Sequence, residues 1–159
     1  RFSQIGTNPE LLPQNIIPVV QNAMAYLSSR SSKKVNFVLN LPQDTEIILP
    51  INQCLIEWTL ENLSKNAIDA MGGIGTLTLD LTQDSKRVFI DVSDTGKGMP
   101  KKQFKKVFEA GFTTKERGWG MGLSLAKRII EEYHHGKIFV KQSTINRGTT
   151  SRIVLKKEE

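Results

Sequence analysis

Glycines alternate with other residues in "GWGMGLSLAKRII" (residues 118–130), at Gly118, Gly120 and Gly122, just before an amphipathic pattern. Glycine lets backbone approach a ligand closely, and a helix N-terminus presents unpaired N–H groups and a positive dipole end. The segment therefore predicts an anion site, with phosphate as the first candidate. A flexible turn that caps a helix explains the same short pattern equally well.

A second group of polar residues lies on a predicted helix. Asn62 and Asn66 are one helical turn apart, and Asp69 follows on the same face. Amide oxygens can coordinate a hard cation such as Mg²⁺, which also takes phosphate oxygens from its substrate. A solvent-facing polar stripe is the alternative interpretation.

The stretch "DTGKGMP" places Asp94, Gly96 and Gly98 directly after a predicted strand. A carboxylate there can accept a hydrogen bond from an exocyclic amine, with the glycines leaving room for a flat ring. A tight turn would use the same residues.

The next segment, "FKKVFEAGFTTK", has phenylalanines four residues apart, a spacing that favours core positions. It ends in Thr113, Thr114 and Lys115, which could contact phosphate.

Length and composition restrict the class of protein. The 159 residues fit one domain, and 38% hydrophobic with 24% charged residues indicates a globular protein. Twenty-two basic against sixteen acidic residues give a net charge of +6, which favours anionic partners. The basic residues are spread along the chain, so we expect no nucleic acid partner.

Cysteine and histidine usage excludes two kinds of site. The single Cys54 cannot form an internal disulfide, and it cannot form a zinc cluster with only His134 and His135. A reducing, cytoplasmic setting fits this composition. The longest uncharged run, residues 11–29, contains prolines and amides, so we expect no contact of this domain with a membrane. The first residue is Arg1, and we expect a piece of a longer protein.

Periodicity predicts an α+β fold after a linker at residues 1–14. We expect a two-layer sandwich in which helices cover one face of a mixed, mostly antiparallel sheet of about five strands. The predicted helices are 15–30, 51–71, a short one at 101–107 and one that runs from the glycine segment to residue 133. The predicted strands are 35–41, 76–82, 87–93, 136–143 and 149–155, of which the second and third form a hairpin.

Each motif is weak alone, but their order is specific. An Asn-bearing helix, Asp-x-Gly-x-Gly, a Phe segment ending in Thr-Thr-Lys, Gly-x-Gly-x-Gly-Leu and a late Gly-Thr-Thr resemble the ATP-binding catalytic domain of sensor histidine kinases. That family shares the Bergerat-type ATP-binding fold with DNA gyrase, heat-shock ATP-dependent chaperones and mismatch-repair ATPases. The resemblance spans residues 15–155, and "ENLSKNAIDAM", "FTTK" and "GMGLSLAKRI" look most like the nitrogen-regulation and PAS-linked kinases.

The resemblance implies a role for each matching residue. It makes Asn66 the Mg²⁺ ligand and a catalytic residue, assisted by Asn62. It makes Asp94 the acceptor for the adenine amine. The remaining nucleotide contacts that it implies are Asp69, Gly96, Gly98, Met99, Thr114, Lys115, Arg117, Gly118, Gly120, Met121, Gly122, Leu123, Thr149 and Thr150.

Lys115 and Arg117 fall in the segment that family members use as a lid over the γ-phosphate, and Lys115 is also a catalytic candidate. Two departures from the family pattern stand out. Asp69 occupies a position that is often basic, and the bulky Trp119 stands where a small residue is common.

Hydrolases of this superfamily carry a general-base Glu four residues before the Mg²⁺-binding Asn. That position is Asn62 here, and an amide cannot take a proton from water. Glu61 is one residue earlier and lies about 100° round a regular helix from Asn62, so it points elsewhere. The kinase function is therefore favoured over a hydrolase of the gyrase or chaperone type.

The paired histidines end a helix, so we expect them to serve as a helix-terminal charge or a packed surface pair. The acceptor histidine then belongs to a separate dimerisation and phosphoacceptor domain, with a response regulator receiver domain downstream. We expect this chain to be monomeric and the full protein to be a homodimer. Two alternatives remain: a serine kinase of the anti-sigma or mitochondrial dehydrogenase-kinase type, and a binding module for nucleic acid or an acidic partner.

Overall fold

The chain forms a five-stranded sheet with helices packed on one face, together with a separate two-stranded sheet. The computed structural model describes residues 9–111 and 122–157. The strands are β1 (Leu12–Asn15), β2 (Val35–Asn40), β3 (Ile48–Ile51), β4 (Gly75–Gln83), β5 (Arg87–Ser93), β6 (Lys137–Thr144) and β7 (Gly148–Lys156). The α-helices are α1 (Ile16–Arg30), α2 (Gln53–Ala70) and α3 (Gly122–Arg128), and a π-helical turn, Ile129–Tyr133, extends α3.

The large sheet has the order β2-β4-β5-β7-β6 and is mostly antiparallel. Only the pair β2 and β4 is parallel within it, with Val35 opposite Gly75, because α2 and β3 separate these strands in the chain. The β4–β5 hairpin closes at Asp84, whose carboxylate accepts hydrogen bonds from the backbone N–H groups of Lys86 and Arg87. The predicted two-layer α+β architecture is confirmed.

The alternation of buried and more exposed residues along the strands shows which face of the sheet the helices cover. Val88, Ile90 and Val92 on β5 are buried, while the residues between them are partly exposed. The buried residues pack against apolar positions of α1 and α2, such as Val20 and Leu60. The resulting core fixes the positions of the helix that carries the asparagines and of the strand that ends at Asp94.

Asparagine caps begin the two long helices. The Asn15 side chain accepts a hydrogen bond from the Ile17 N–H at 3.2 Å, and Asn52 accepts one from the Leu55 N–H at 3.0 Å. Each cap satisfies a backbone donor that the helix leaves unpaired. At its other end α2 ends at Ala70, followed by the cap residue Met71 and by Gly72 and Gly73, which have positive φ angles.

Three local features differ from the sequence prediction. Residues 12–14, placed in the linker by the sequence, form β1 and pair with β3, a strand that was not predicted. The short helix expected at 101–107 is two 3₁₀ turns, Lys101–Gln103 and Lys106–Phe108. The helix expected to run to residue 133 changes to π geometry after Arg128.

Candidate functional site

Helix α2 presents Asn62, Asn66 and Asp69 on one face, as the spacing predicted. Asn62 and Asn66 are partly buried, and Asp69 is exposed. The Nδ2 atom of Asn62 is fully buried and finds no hydrogen-bond acceptor within the described chain. An unpaired buried donor costs free energy, so this amide is suited to an acceptor brought by a ligand.

Asp94 follows the last residue of β5, and its two carboxylate oxygens have different surroundings. Oδ1 accepts hydrogen bonds from the backbone N–H of Gly96 at 2.8 Å and of Thr149 at 3.3 Å. Oδ2 has no hydrogen-bond partner among the described residues. Burial raises the pKa of the Asp94 carboxyl, and the two backbone hydrogen bonds oppose that shift. One oxygen is thus held by the protein while the other remains available to a donor.

The glycines of this loop allow close packing of backbone. A Cβ on Gly96 would lie 2.5 Å from the carbonyl oxygen of Ala70, and a Cβ on Gly98 would collide with the Thr144 carbonyl. Gly98 also has a φ of +69°, which favours glycine. In addition, the Lys97 N–H donates to the Ala70 carbonyl at 3.0 Å. The loop is therefore fixed between the end of α2 and the β6–β7 turn, a packing role that the sequence did not reveal.

The β6–β7 hairpin supports the same loop through hydroxyl groups. Ser143 Oγ accepts a hydrogen bond from the Met99 N–H at 2.9 Å and lies 2.7 Å from Thr149 Oγ1. Thr150 Oγ1 lies 2.8 Å from Ser93 Oγ at the end of β5. These contacts bring Thr149 and Thr150 to Asp94, as the sequence predicted, and add Ser143, which it missed. Its sequence context gave no signal, because Ser143 stands between the polar residues Gln142 and Thr144.

Helix α3 brings the last glycine of the predicted phosphate segment to α2. A Cβ on Gly122 would overlap the side-chain amide of Asn62. Leu123 is next on α3 and packs partly buried against the core. Glycine at position 122 therefore lets the start of α3 reach the asparagine face without displacing the Asn62 side chain.

His134 has a structural role that was not predicted. Its side chain is 6% exposed, its Nε2 accepts a hydrogen bond from the Asn52 N–H at 3.1 Å, and its Nδ1 lies 2.8 Å from the Ile129 carbonyl oxygen. This pattern requires a neutral ring with the proton on Nδ1. The expected helix-terminal charge or surface pair is thus wrong for His134, because its ring is buried and accepts a hydrogen bond. His135 is exposed and has a φ of +58°.

The described part of the site joins residues from α2, the loop after β5, strand β7 and the start of α3. Asp94, Thr149 and Thr150 line one polar cavity of about 170 Å³ together with Arg147. Asn62, Asn66 and Asp69 lie on α2, and the loop residues Gly96, Gly98 and Met99 connect the two regions. Six predicted residues lie outside the described residues: Thr114, Lys115, Arg117, Gly118, Gly120 and Met121, as does Trp119.

Within the described ranges, no helix is both long enough and apolar enough to span a bilayer. Residues 53–159 match the family described as histidine kinase-, DNA gyrase B- and HSP90-like ATPase. The match covers α2 and every later element, including all of the predicted site residues.

Sensor kinases are among the relatives. The chain is 34% identical over 156 residues to the sensor protein TdiS of Thauera aromatica, covering 92% of this chain and 28% of that protein. It is 31% identical over 144 residues to sporulation kinase A of Bacillus subtilis, covering 91% of this chain and 23% of the relative. The chain thus spans about a quarter of the length of these curated relatives. The narrower likeness to nitrogen-regulation and PAS-linked kinases stays a prediction.

The fold is shared with a solved kinase domain. The nucleotide-free catalytic domain of histidine kinase ThkA superposes with a TM-score of 0.84 and 26% identity, covering 94% of this chain and 97% of that one. Because the family match includes about two thirds of the chain and the fold agrees nearly end to end, the chain belongs to the histidine kinase-, DNA gyrase B- and HSP90-like ATPase family, as the ATP-binding catalytic domain of a sensor histidine kinase.

Proposed function

We propose that the chain binds Mg-ATP between α2, the loop after β5 and the start of α3, and donates the γ-phosphate to a histidine on a separate dimerisation and phosphoacceptor domain. Membership of the ATPase family implies nucleotide binding. The observation that carries the proposal is the Asp94 carboxylate, whose Oδ1 is held by two backbone N–H groups while Oδ2 has no partner in the described chain. An ionised carboxylate oxygen is an acceptor suited to the exocyclic amine of adenine.

The asparagine face fits the phosphate end of the nucleotide. The buried Nδ2 of Asn62 lacks an acceptor within the described residues, and Gly122 brings the start of α3 against it. Asn66, one turn further along α2, would hold Mg²⁺ through its amide oxygen. The cation would supply positive charge that neutralises the phosphate oxygens. The remaining proposed contacts among the described residues are Asp69, Gly96, Gly98, Met99, Gly122, Leu123, Thr149 and Thr150.

The residue types on α2 support phosphate transfer over hydrolysis. Asn62 stands where hydrolases of the superfamily place a general-base Glu, and a neutral amide cannot accept a proton from water. Glu61 is one residue earlier on the regular helix α2, about 100° round its axis. A kinase instead receives its nucleophile from the acceptor domain.

The proposal also includes residues known from the sequence alone. Lys115 is proposed as a catalytic contact to the γ-phosphate, with Arg117 in the same segment. Thr114, Gly118, Gly120 and Met121 complete this set, and all six rest on the resemblance of their motifs.

Partners of the whole protein follow from the kinase family. The histidine kinase ThkA has been solved in complex with the response regulator TrrA, and full-length ShkA in complex with AMPPNP. We extend both kinds of ligand to this chain: a nucleotide in the site and a response regulator receiver domain downstream. The full protein is proposed to be a homodimer whose catalytic domain lies in the cytoplasm.

Transfer to a separately made upstream domain tests the proposal. The chain is mixed with that domain and radiolabelled Mg-ATP, and the expected product carries acid-labile, alkali-stable label on histidine. Asn66→Ala removes the proposed cation ligand and should abolish labelling. Asn22→Ala makes the same substitution at an exposed position of α1 and should label at the unsubstituted rate.

Two outcomes would contradict the proposal. Acid-stable label on serine would favour a kinase of the anti-sigma or mitochondrial dehydrogenase-kinase type. Release of inorganic phosphate without labelling of the upstream domain, at a rate that Asn66→Ala abolishes, would favour a hydrolase.

A further inference from the structure

Five exposed lysines lie close together in the chain after Asp94. We call them the lysine wall: Lys97, Lys101, Lys102, Lys105 and Lys106. Removing these five from the twenty-two basic residues of the chain leaves seventeen, against sixteen acidic residues. Residues 97–106 hold these five lysines and no acidic residue, so most of the net charge of +6 is concentrated there although the other basic residues are spread along the chain. The rest of the chain has an almost balanced charge.

The segment that carries the lysine wall has one apolar side and one charged side. Val107 and Phe108 are 8% and 6% exposed, and Phe104 packs partly buried against the core. All five lysines are exposed, and no hydrogen bond or ion pair joins their ammonium groups to another described residue. Their positive potential is thus not cancelled by a local ion pair within the described chain.

The lysine wall runs from one end of the proposed nucleotide site to the other. Lys97 lies inside the loop that Asp94 begins, and its N–H bonds to the last residue of α2. The second 3₁₀ turn, which contains Lys106, contacts α3, and the first residue of α3 abuts Asn62. The wall therefore connects the proposed base end to the proposed phosphate end.

From this placement we propose that the lysine wall steers Mg-ATP electrostatically into the site without contacting it in the bound state. The inference rests on the proposed function, because the steered anion is the triphosphate. A cleft bordered by charge of one sign raises the association rate of an oppositely charged ligand by roughly 10- to 1,000-fold. Charges outside the contact surface change mainly the association rate, whereas the contacts made in the bound state set the dissociation rate.

The dependence of the association rate on salt concentration distinguishes electrostatic steering from direct contact with the nucleotide. The lysines are exposed, and the Debye length falls from about 30 Å at 0.01 M ionic strength to about 3 Å at 1 M. Steering over a distance longer than the Debye length is screened. The advantage in association rate should therefore be largest at low salt and vanish at high salt.

The test measures association and dissociation rates of a fluorescent ribose-labelled ATP analogue with Mg²⁺ by stopped flow across this range of ionic strength. The variant carries Lys101→Gln, Lys102→Gln, Lys105→Gln and Lys106→Gln. The matched control carries Lys86→Gln, Lys137→Gln, Lys156→Gln and Lys157→Gln. These control lysines lie at the opposite end of the sheet from Asp94, because β5 alone has seven residues and spans roughly 20 Å.

We expect the wall variant to associate about tenfold more slowly at low salt and at the unsubstituted rate at high salt, with an unchanged dissociation rate. The control should stay within about twofold at every salt concentration. Equal slowing in both variants would assign the effect to net charge and overturn the inference. An unchanged association rate, or a raised dissociation rate, in the wall variant would also overturn it. If the unsubstituted chain binds no nucleotide, the proposed function fails and this inference fails with it.

Discussion

Asp94 shows how the surroundings of one carboxylate set base selectivity. The two N–H groups on Oδ1 fix the orientation of the side chain, so only Oδ2 can face a ligand. Adenine would offer that oxygen an amine, whereas guanine has a carbonyl oxygen at the same place. Two facing acceptors in a partly buried pocket cost about 1–3 kcal/mol, so ATP should bind roughly 10- to 100-fold more tightly than GTP.

The Asp94→Asn variant makes this selectivity testable. The amide oxygen of the substituted side chain should take the place of Oδ1, because the N–H groups of Gly96 and Thr149 require an acceptor. The amide NH₂ then faces the ligand and donates where the carboxylate accepted. We expect weaker ATP binding and a smaller preference over GTP, measured by competition against a fluorescent adenine nucleotide. Equal displacement of the probe by ATP and GTP from the unsubstituted chain would remove Asp94 from the site.

Residue types and their order predicted much of the candidate site. Asn62, Asn66 and Asp94 could be singled out because amides and a carboxylate stand at informative places on a helix and at a strand end. Ser143 and the Ala70 carbonyl could not, since each meets the Asp94 loop across a long stretch of chain. Backbone groups carry no residue-type signal. A contact such as the one between Gly96 and Ala70 depends on the angle at which α2 crosses the sheet.

At the scale of elements, His134 links the two helices that flank the candidate site. It receives a hydrogen bond from the N-cap residue of α2 and ends the π turn that extends α3. Asn62 and Gly122 meet elsewhere on the same two helices. The helices are therefore connected both at the site and at the far end of the π turn. The periodicity of the sequence cannot show such a link, because it depends on the ring being buried.

This link makes the stability of the chain depend on pH. Burial lowers the pKa of His134, and the charge of His135 adds to that effect, while the bond to the Ile129 carbonyl opposes it. Between the folded pKa and the unfolded value of about 6.5, the unfolded state binds more protons. The contribution of the neutral His134 ring to the free energy of unfolding is complete above the pKa that His134 has in the unfolded state. It decreases as the pH falls toward the lower pKa that His134 has in the folded state. The loss is at most about 1.4 kcal/mol per pH unit.

Urea unfolding at a series of pH values from about 5 to 8 measures the effect. His134→Gln removes the titrating ring, and we expect its stability to fall less steeply below the unfolded pKa than that of the unsubstituted chain. His135→Gln is the matched control, because His135 is the exposed neighbour. If His135→Gln flattens the pH dependence as much as His134→Gln does, the buried ring is not the source.

The bounds of elements with a strong period of apolar residues were predicted closely, and elements with a weak period were missed. Helix α2 was expected at 51–71 and occupies Gln53–Ala70, since apolar positions recur along it and two glycines follow it. Residues 12–14 of β1 were assigned to the linker because residues 1–14 have no hydrophobic period and contain two prolines. The segment is a strand because β3 lies beside it, with Leu12 opposite Ile51. Pairing of this kind depends on tertiary structure.

At the scale of the whole molecule, the α+β class could be predicted because segments with helical periodicity alternate with segments of strand periodicity. The order of the strands in the sheet could not be predicted. The parallel pairing of β2 with β4 places residues 35–40 beside residues 75–80, and β7 lies between β5 and β6. Local patterns do not encode such neighbours. The ordered set of motifs indicated the fold in another way, because it resembles that of a known family. The match over residues 53–159 confirms this family.

Binding of Mg-ATP should stabilise the whole molecule, because a ligand that binds only the folded state shifts the folding equilibrium toward it. At a free concentration of about 100 times the Kd, the gain is about 2.7 kcal/mol, which corresponds to a rise in Tm of roughly 5–10 °C for a chain of this size. The rise should disappear when EDTA removes Mg²⁺, and it should be absent in Asn66→Ala. Asn22→Ala should show the full rise, since that residue is exposed on α1. Differential scanning calorimetry measures all four conditions. An equal rise in Asn66→Ala and in the unsubstituted chain would exclude Asn66 as the cation ligand, because its loss would leave the linkage between Mg-ATP and folding intact.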